Sequence, residues 1–318
     1  LDIFIGGAVV PGAYPLPTAS YLLENDGTGK YKDVTTTWSK GLMLPGIINE
    51  CEFADLNNDG LPDLIIAGYW KNVSVFMNTG NQFIDQTAAL GLNESSGWWN
   101  ALKVMDVDGD GDLDIIAGNE GMNNLMRVNP SKPSYILQGD MTRNNQIDAV
   151  CFYTIQGKQV PLHSYTEIIQ QMPGLIQKRY PKVSMYANAT MANLFSDQEL
   201  TGSKTFKINN FKSGVFVNEG KRFVFKPFPM EAQLSNINDM LAEDVNQDGK
   251  MDLVLVGNSD APRISLGRND AFNGLILLNE GKANWKPVTF DESGFYVPNI
   301  AQRIASIKTS TSSIWMVA

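Results

Sequence analysis

The chain has 318 residues, of which 43% are hydrophobic and 10% aromatic, enough apolar material for one large domain or two ordinary ones. Its net charge of −9, with no dense stripe of lysine or arginine, argues against nucleic-acid binding. No apolar run reaches the roughly 18 residues of a membrane span. The two cysteines match no zinc-binding spacing, and the sequence leaves both free thiols and a disulfide open.

In chain order, the first element is Asp-Ile-Phe-Ile-Gly-Gly, which begins at Asp2. An aspartate followed by an apolar run and a glycine recurs three times downstream. The chain therefore begins inside a repeated unit, and we expect it to be part of a longer protein. Each unit also contains an apolar strand, an asparagine, a glycine turn and an aromatic residue, which is typical of a β-hairpin.

The same unit contains a loop rich in aspartate, asparagine and glycine, with near-intact copies at residues 55–63, 106–114 and 244–252. Positions 1, 3, 5 and 9 carry side-chain oxygens, position 7 offers a backbone carbonyl, and glycine at position 6 permits a sharp turn. The predicted metal ligands are Asp55, Asn57, Asp59, Leu61 and Asp63; Asp106, Asp108, Asp110, Asp112 and Asp114; and Asp244, Asn246, Asp248, Lys250 and Asp252.

Oxygen ligands with several carboxylates favour Ca²⁺ over zinc or copper, and magnesium would retain more water. An EF-hand is excluded, because position 12 is Ile66, Ala117 or Leu255 and each lies in a strand-like run. The alternative is a set of turns without metal. Three copies in equivalent places favour metal, and we expect a structural rather than a catalytic role for it.

A degenerate copy of the loop spans residues 140–148. Its candidate ligands are Asp140, Thr142, Asn144 and Asp148, and Asn145 replaces the glycine, so a weak metal site is predicted. Residues 163–202 then break the repeat. A capping box begins at Ser164, and apolar residues follow at helical spacing, which predicts a helical insertion within a blade.

Four short strands in each unit of about 50–60 residues predict an all-β fold, a β-propeller of four-stranded antiparallel blades. We expect one domain over residues 1–318, with six or seven blades of which the terminal ones are partial. The loops at Asp55, Asp106, Asp140 and Asp244 would each mark one blade.

These loops resemble the FG-GAP/VCBS repeats, whose best-known folded relative is the integrin α-subunit propeller. The stretches around Trp98 and Asn119 also look like VCBS proteins of Bacteroidetes that are associated with ASPIC/UnbV modules. The resemblance implies calcium bound between two strands of a blade, through the ligands named above. It also implies an extracellular or outer-membrane location.

The first functional hypothesis is a calcium-binding module for adhesion or recognition, with an unidentified protein or glycan as its partner. The alternative is a calcium-assisted enzyme acting on polysaccharide, such as a lyase. The single histidine, His163, supplies no catalytic constellation, and no catalytic residue is assigned. Trp98, Trp99 and Asn100 are a candidate ligand face, and the alternative is that both tryptophans fill the space between blades.

Overall fold

The computed structural model describes residues 2–260, 267–309 and 313–318. Strands account for most of its regular structure. The strands are β1 (Ile3–Ile5), β2 (Tyr21–Asn25), β3 (Tyr31–Asp33), β4 (Ile47–Ala54), β5 (Asp63–Lys71), β6 (Ser74–Asn78), β7 (Phe83–Asp85), β8 (Gly97–Trp98), β9 (Ala101–Met105), β10 (Asp114–Gly118), β11 (Ser134–Gly139), β12 (Asp148–Ile155), β13 (Lys158–Pro161), β14 (Lys204–Ile208), β15 (Gly214–Asn218), β16 (Phe223–Pro227), β17 (Ile237–Glu243), β18 (Asp252–Gly257), β19 (Leu275–Gly281), β20 (Asn284–Val288), β21 (Ile304–Lys308) and β22 (Ser313–Val317). The helices are α1 (Thr35–Trp38), α2 (Tyr165–Gln171), α3 (Pro173–Arg179), α4 (Val183–Tyr186) and α5 (Phe290–Ser293), with 3₁₀ turns at Lys40–Leu42 and Met230–Gln233.

The described strands pair antiparallel in six sheets. Sheet S1 has the order β1-β2-β3, and sheet S2 has the order β4-β5-β6-β7 with β8 paired to β5. Sheet S3 has the order β9-β10-β15-β16, and sheet S5 has the order β17-β18-β19-β20. Sheet S4 has the order β14-β11-β12-β13, and sheet S6 is the β21-β22 hairpin. Four-stranded antiparallel sheets therefore dominate, as the repeat predicts.

The first strands of successive sheets lie side by side. Strand β4 contacts β9, β9 contacts β17, and β17 contacts β21. Arg303, just before β21, pairs with Glu50 on β4 at 2.6 Å and lies 4.0 Å from Asp239 on β17. Sheets whose first strands face a common centre are the blades of a propeller. The predicted all-β propeller class is confirmed.

The recurring glycine in the second strand of a blade has a steric reason. A Cβ atom on Gly68 would lie 1.8 Å from the carbonyl oxygen of Ile47, and one on Gly257 would lie 1.9 Å from that of Asn236. The backbone of the first strand runs too close for any side chain there. The fully buried strand residues Ile65, Ile115 and Leu253 then pack the sheets face to face.

The blade at residues 106–114 is split in the sequence. Its strands β9 and β10 pair with β15 and β16, so residues 119–213 separate its second strand from its third. Sheet S4 and helices α2–α4 lie in that interval. In S4, the last strand in the chain, β14, pairs with the first strand, β11, whereas the fourth strand of a blade pairs with the third. S4 therefore does not have the strand order of a blade, and the predicted blade at Asp140 is wrong.

The first helix of the interval, α2, begins where the sequence predicts. The Ser164 side chain accepts the Glu167 N–H, and the Glu167 side chain accepts the Ser164 N–H. Pro173 occupies the first turn of α3, where a missing N–H costs nothing. Ile168, Met172 and Ile176 are fully buried against S4. The described part of the chain holds no helix of the length and apolarity needed to cross a membrane. Cys51 and Cys151 form no disulfide there.

Candidate metal centre

Each aspartate-rich loop connects the first two strands of its sheet. The first loop (residues 55–63) joins β4 to β5, the second loop (106–114) joins β9 to β10, and the third loop (244–252) joins β17 to β18. The degenerate loop (140–148) joins β11 to β12 in S4. The last aspartate of each loop is also the first residue of the following strand and is buried.

The three repeat loops share one set of internal hydrogen bonds. The position-1 carboxylate accepts the N–H of the position-6 glycine at 2.8 Å in the first loop and 3.0 Å in the second and third. The position-5 carboxylate accepts the N–H of position 7 at 2.8–2.9 Å. These bonds hold the side chains of positions 1 and 5 inside the turn, because each must face the backbone that donates to it.

The position-9 aspartate ties the loop to the third strand of the blade. Asp114 accepts the N–H of Val107 at 2.8 Å through one oxygen and that of Asn218 at 2.8 Å through the other. Asp63 and Asp252 make the equivalent pairs, with Asn78 and Asn279 as the third-strand donors. Burial raises the pKa of Asp114 to about 6, and it raises the pKa of Asp63.

The second loop brings three carboxylates together. Ligand oxygens of Asp106, Asp108 and Asp114 lie within 4.8 Å of one another, and this is the only such group of acidic, histidine or cysteine side chains in the described residues. The Oδ1 atom of Asp108 is buried and has no hydrogen-bond partner among the residues that the structure describes. Burial and the neighbouring Asp110 carboxylate raise the pKa of Asp108. A cation would compensate all three charges, so this cluster could hold a metal ion.

The first and third loops differ from the second at position 3. Asn57 and Asn246 donate their amides to Asp59 and Asp248, at 2.9 and 3.2 Å. In the third loop, the ammonium of Lys250 also lies 3.0 Å from Asp248. Both loops therefore have fewer converging negative charges than the second. The position-7 carbonyl ligands remain a prediction in all three.

The degenerate loop has the same turn with fewer ligands. Asp140 accepts the N–H groups of Asn144 and Asn145 at 2.9 and 2.8 Å. The Thr142 hydroxyl donates to Asp148 at 3.1 Å, in addition to the Thr142 N–H at 3.0 Å. Asn145 has φ +63°, the left-handed conformation for which the other loops use glycine. Hydrogen bonds of the protein itself therefore close this loop.

The predicted ligand face is wrong for Trp99. Its side chain is fully buried, donates to the carbonyl of Ser95 at 2.9 Å and packs edge-on to Phe216. Trp98 is half-buried against Phe211 and the aromatic residues at the end of β5. Asn100 accepts the Tyr69 hydroxyl at 2.8 Å. Trp98, the last residue of β8, and Trp99, which follows it, therefore both pack against other aromatic residues of the protein.

The third-strand asparagine was overlooked as part of the site. The sequence shows it only as the start of a hairpin turn, at Asn78, Asn218 and Asn279. Its side-chain oxygen accepts the N–H two residues later at 2.8–3.0 Å, which forms that turn. Its backbone N–H is the group that reaches the loop. The sequence did contain a signal for this role, because an asparagine follows the apolar run of the third strand in all three repeats.

The family model for the FG-GAP-like repeat matches residues 55–117. This part of the chain is therefore similar to an FG-GAP-like repeat. The match covers the first loop, strands β5 to β9, and the second loop through most of β10, and it leaves out β4. The third loop has the same internal bonds and the same third-strand asparagine as these two.

Other comparisons add little to the FG-GAP-like assignment. No curated protein matches the sequence. One similar solved structure concerns the specific recognition of non-reducing terminal N-acetylglucosamine by a lectin of Agrocybe aegerita. It shares 14% sequence identity and has a TM-score of 0.26, over 100% of this chain and 85% of the lectin. Structures that differ to this extent support no conclusion about ligand.

Proposed function

We propose that this FG-GAP-like propeller is a calcium-binding recognition module that acts outside the cell or at the bacterial cell surface, with a protein or a glycan as its partner. The observation that carries the proposal is the shared architecture of the three loops. Each directs carboxylate or amide oxygens into one turn, and the second leaves a buried Asp108 oxygen without a partner. Oxygen-only ligand sets of this kind suit calcium.

Calcium would act on the scaffold rather than on a substrate. The ligands would be the side chains at positions 1, 3, 5 and 9, with the carbonyl of position 7. Because the position-9 aspartate also holds the third strand, a cation there would couple the loop to the blade. At millimolar calcium, a site with Kd near 10⁻⁴ M would stabilise the folded state by about 1.4 kcal/mol.

A recognition role suits the described residues better than catalysis. The single histidine, His163, is buried behind the hydroxyl of Tyr186, which donates to its carbonyl at 2.9 Å. The carboxylates at positions 1, 5 and 9 of the three repeat loops accept backbone N–H groups. A module held rigid by calcium can present its loops to a partner without ordering them at the moment of binding, which reduces the entropic cost.

The test combines metal content, stability and ligand binding. We expect equilibrium dialysis against ⁴⁵Ca²⁺ to give a stoichiometry set by the three repeat loops, and EDTA to lower Tm. Arrays of neutral and acidic glycans, probed in calcium and in EDTA, would then identify a glycan partner. A chain that binds no calcium at millimolar concentration would refute the metal assignment. Release of unsaturated oligosaccharides from acidic polysaccharide would refute the recognition role and establish a lyase.

A further inference from the structure

A cavity of about 290 Å³ lies between the inserted sheet S4 and blade S2. Its walls come from the segment at residues 15–17, from residues 44–47 before β4, from the end of β5, and from β11 and β14 of S4. It therefore exists only because residues 119–213 fold beside S2. Junctions between packed units are common places for small-molecule sites.

The walls of this cavity are mostly apolar, with a basic component. Nine of its thirteen lining residues are proline, leucine, isoleucine or aromatic. Lys71 and Lys204 are the charged residues among the described lining, and no carboxylate is part of it. That charge pattern is opposite to the net charge of −9 of the chain. An apolar cavity with two ammonium groups is complementary to an apolar anion.

The Lys71 side chain is only partly compensated by the protein. Its stem runs along Gly46, where a Cβ atom would lie 3.4 Å from the Lys71 Cδ atom. Its ammonium donates to the Ser74 hydroxyl at 3.1 Å, a neutral partner. Desolvation lowers the pKa of Lys71 to about 7, against a smaller opposing effect of Asp85. A desolvated ammonium without a contacting carboxylate favours an anion beside it.

The backbone beside Lys71 is also unusual. Trp70 has φ +59°, which is rare for a bulky residue, and its indole N–H donates to the Tyr14 hydroxyl. Such conformations cost free energy and are found most often where a structure holds a side chain for binding or catalysis. Here the conformation holds an aromatic wall next to the ammonium.

We propose that this cavity binds a small molecule with one carboxylate and a flat apolar body, with the carboxylate on Lys71. Tyr69, Trp70 and Phe206 supply the surface for the apolar body. Lys204, exposed on β14, supplies a second positive charge at the cavity. A sugar acid fits less well, because its hydroxyl groups would lose hydrogen bonds to water on entry. Gln138 is the one amide side chain among the described lining residues that could replace them.

The test uses phenylacetate as the probe and the intact chain in calcium buffer. We expect titration calorimetry to detect phenylacetate binding, and to find phenylacetamide and glucuronate each weaker by about tenfold or more. These comparisons are made on the unaltered protein and do not depend on the folding of a variant. Binding should take up protons near pH 7.5, seen as a dependence of the heat on buffer ionisation, because a carboxylate beside Lys71 would raise its pKa.

Variants locate the site. Lys71→Met should weaken phenylacetate binding by about tenfold or more, whereas Lys207→Met on the same strand as Lys204 should leave it unchanged. Lys207 lies outside the cavity and faces Glu94 at 3.9 Å. Phenylacetate that fails to bind at about 10 mM, an amide that binds as well as the acid, glucuronate that binds better, or a folded Lys71→Met variant with unchanged affinity would each overturn the proposal.

Discussion

Replacing Lys250 should strengthen the calcium binding that we propose for the third loop. The Lys250 ammonium lies 3.0 Å from a carboxylate oxygen of Asp248. Since calcium–oxygen bonds are about 2.4 Å long, a cation on that oxygen would lie within about 5.5 Å of the ammonium. A single and a double positive charge at that separation repel by about 1.5 kcal/mol in water, and salt reduces this. Lys250→Leu should therefore raise calcium affinity by about five- to tenfold.

The reciprocal change provides the matched control. Position 7 of the first loop is Leu61, in a turn with the same internal bonds, so Leu61→Lys should weaken that loop by a similar factor. Each loop is measured alone by calorimetry, after the position-5 aspartates of the other two have been changed to alanine and folding has been checked by thermal melting. Both effects should shrink in 0.5 M salt, to an extent set by a Debye length of about 4 Å. If neither Lys250→Leu nor Leu61→Lys changes the calcium affinity of its loop, the proposed electrostatic effect of position 7 is wrong.

Three further predictions address the loops and the cavity. Asp110→Ala should reduce the calcium-dependent rise in Tm more than Asn144→Ala does, because the second loop carries more carboxylates than the degenerate one; equal effects on the metal-dependent rise would contradict this. Asn218→Ala should lower the free energy of unfolding by about 1 kcal/mol in urea titrations, since it removes the turn bond to Gly220, and an unchanged midpoint would count against that role. Burial lowers the pKa of Lys71 to about 7 in the folded protein, whereas a lysine in the unfolded chain keeps its proton to about pH 10. Between pH 7 and pH 10 the unfolded state therefore binds more protons than the folded state, and the free energy of unfolding rises with pH. Lys71→Met should accordingly raise the free energy of unfolding at pH 6 by on the order of 1 kcal/mol, given the partial exposure of Lys71, and should have no such effect near pH 10. An equal increase in the free energy of unfolding at pH 6 and pH 10 would argue against a desolvated ammonium.

Local spacing made the loops predictable. All candidate ligands of one loop fall within nine residues, and the turn bonds of positions 1 and 5 are to neighbouring backbone groups. The capping box at Ser164 was predictable for the same reason, because both its bonds span three residues. The buried faces of Trp98 and Trp99 were not, since they depend on Phe211 and Phe216, more than a hundred residues away along the chain.

The split blade shows why the rest could not be predicted from local patterns. Asn218 looks like any other hairpin asparagine, yet its N–H completes the second loop through Asp114, on the far side of residues 119–213. Closing so long a connection costs little more entropy than closing a shorter one, so an insertion there is tolerated if it folds on its own hydrophobic cluster. Sheet S4 does so, with Ile168 and Phe152 buried in one cluster. The same insertion places Phe206 and Lys204 against β5, and the cavity around Lys71 is the consequence. A site formed in this way has no motif, because its residues share neither a turn nor a repeat.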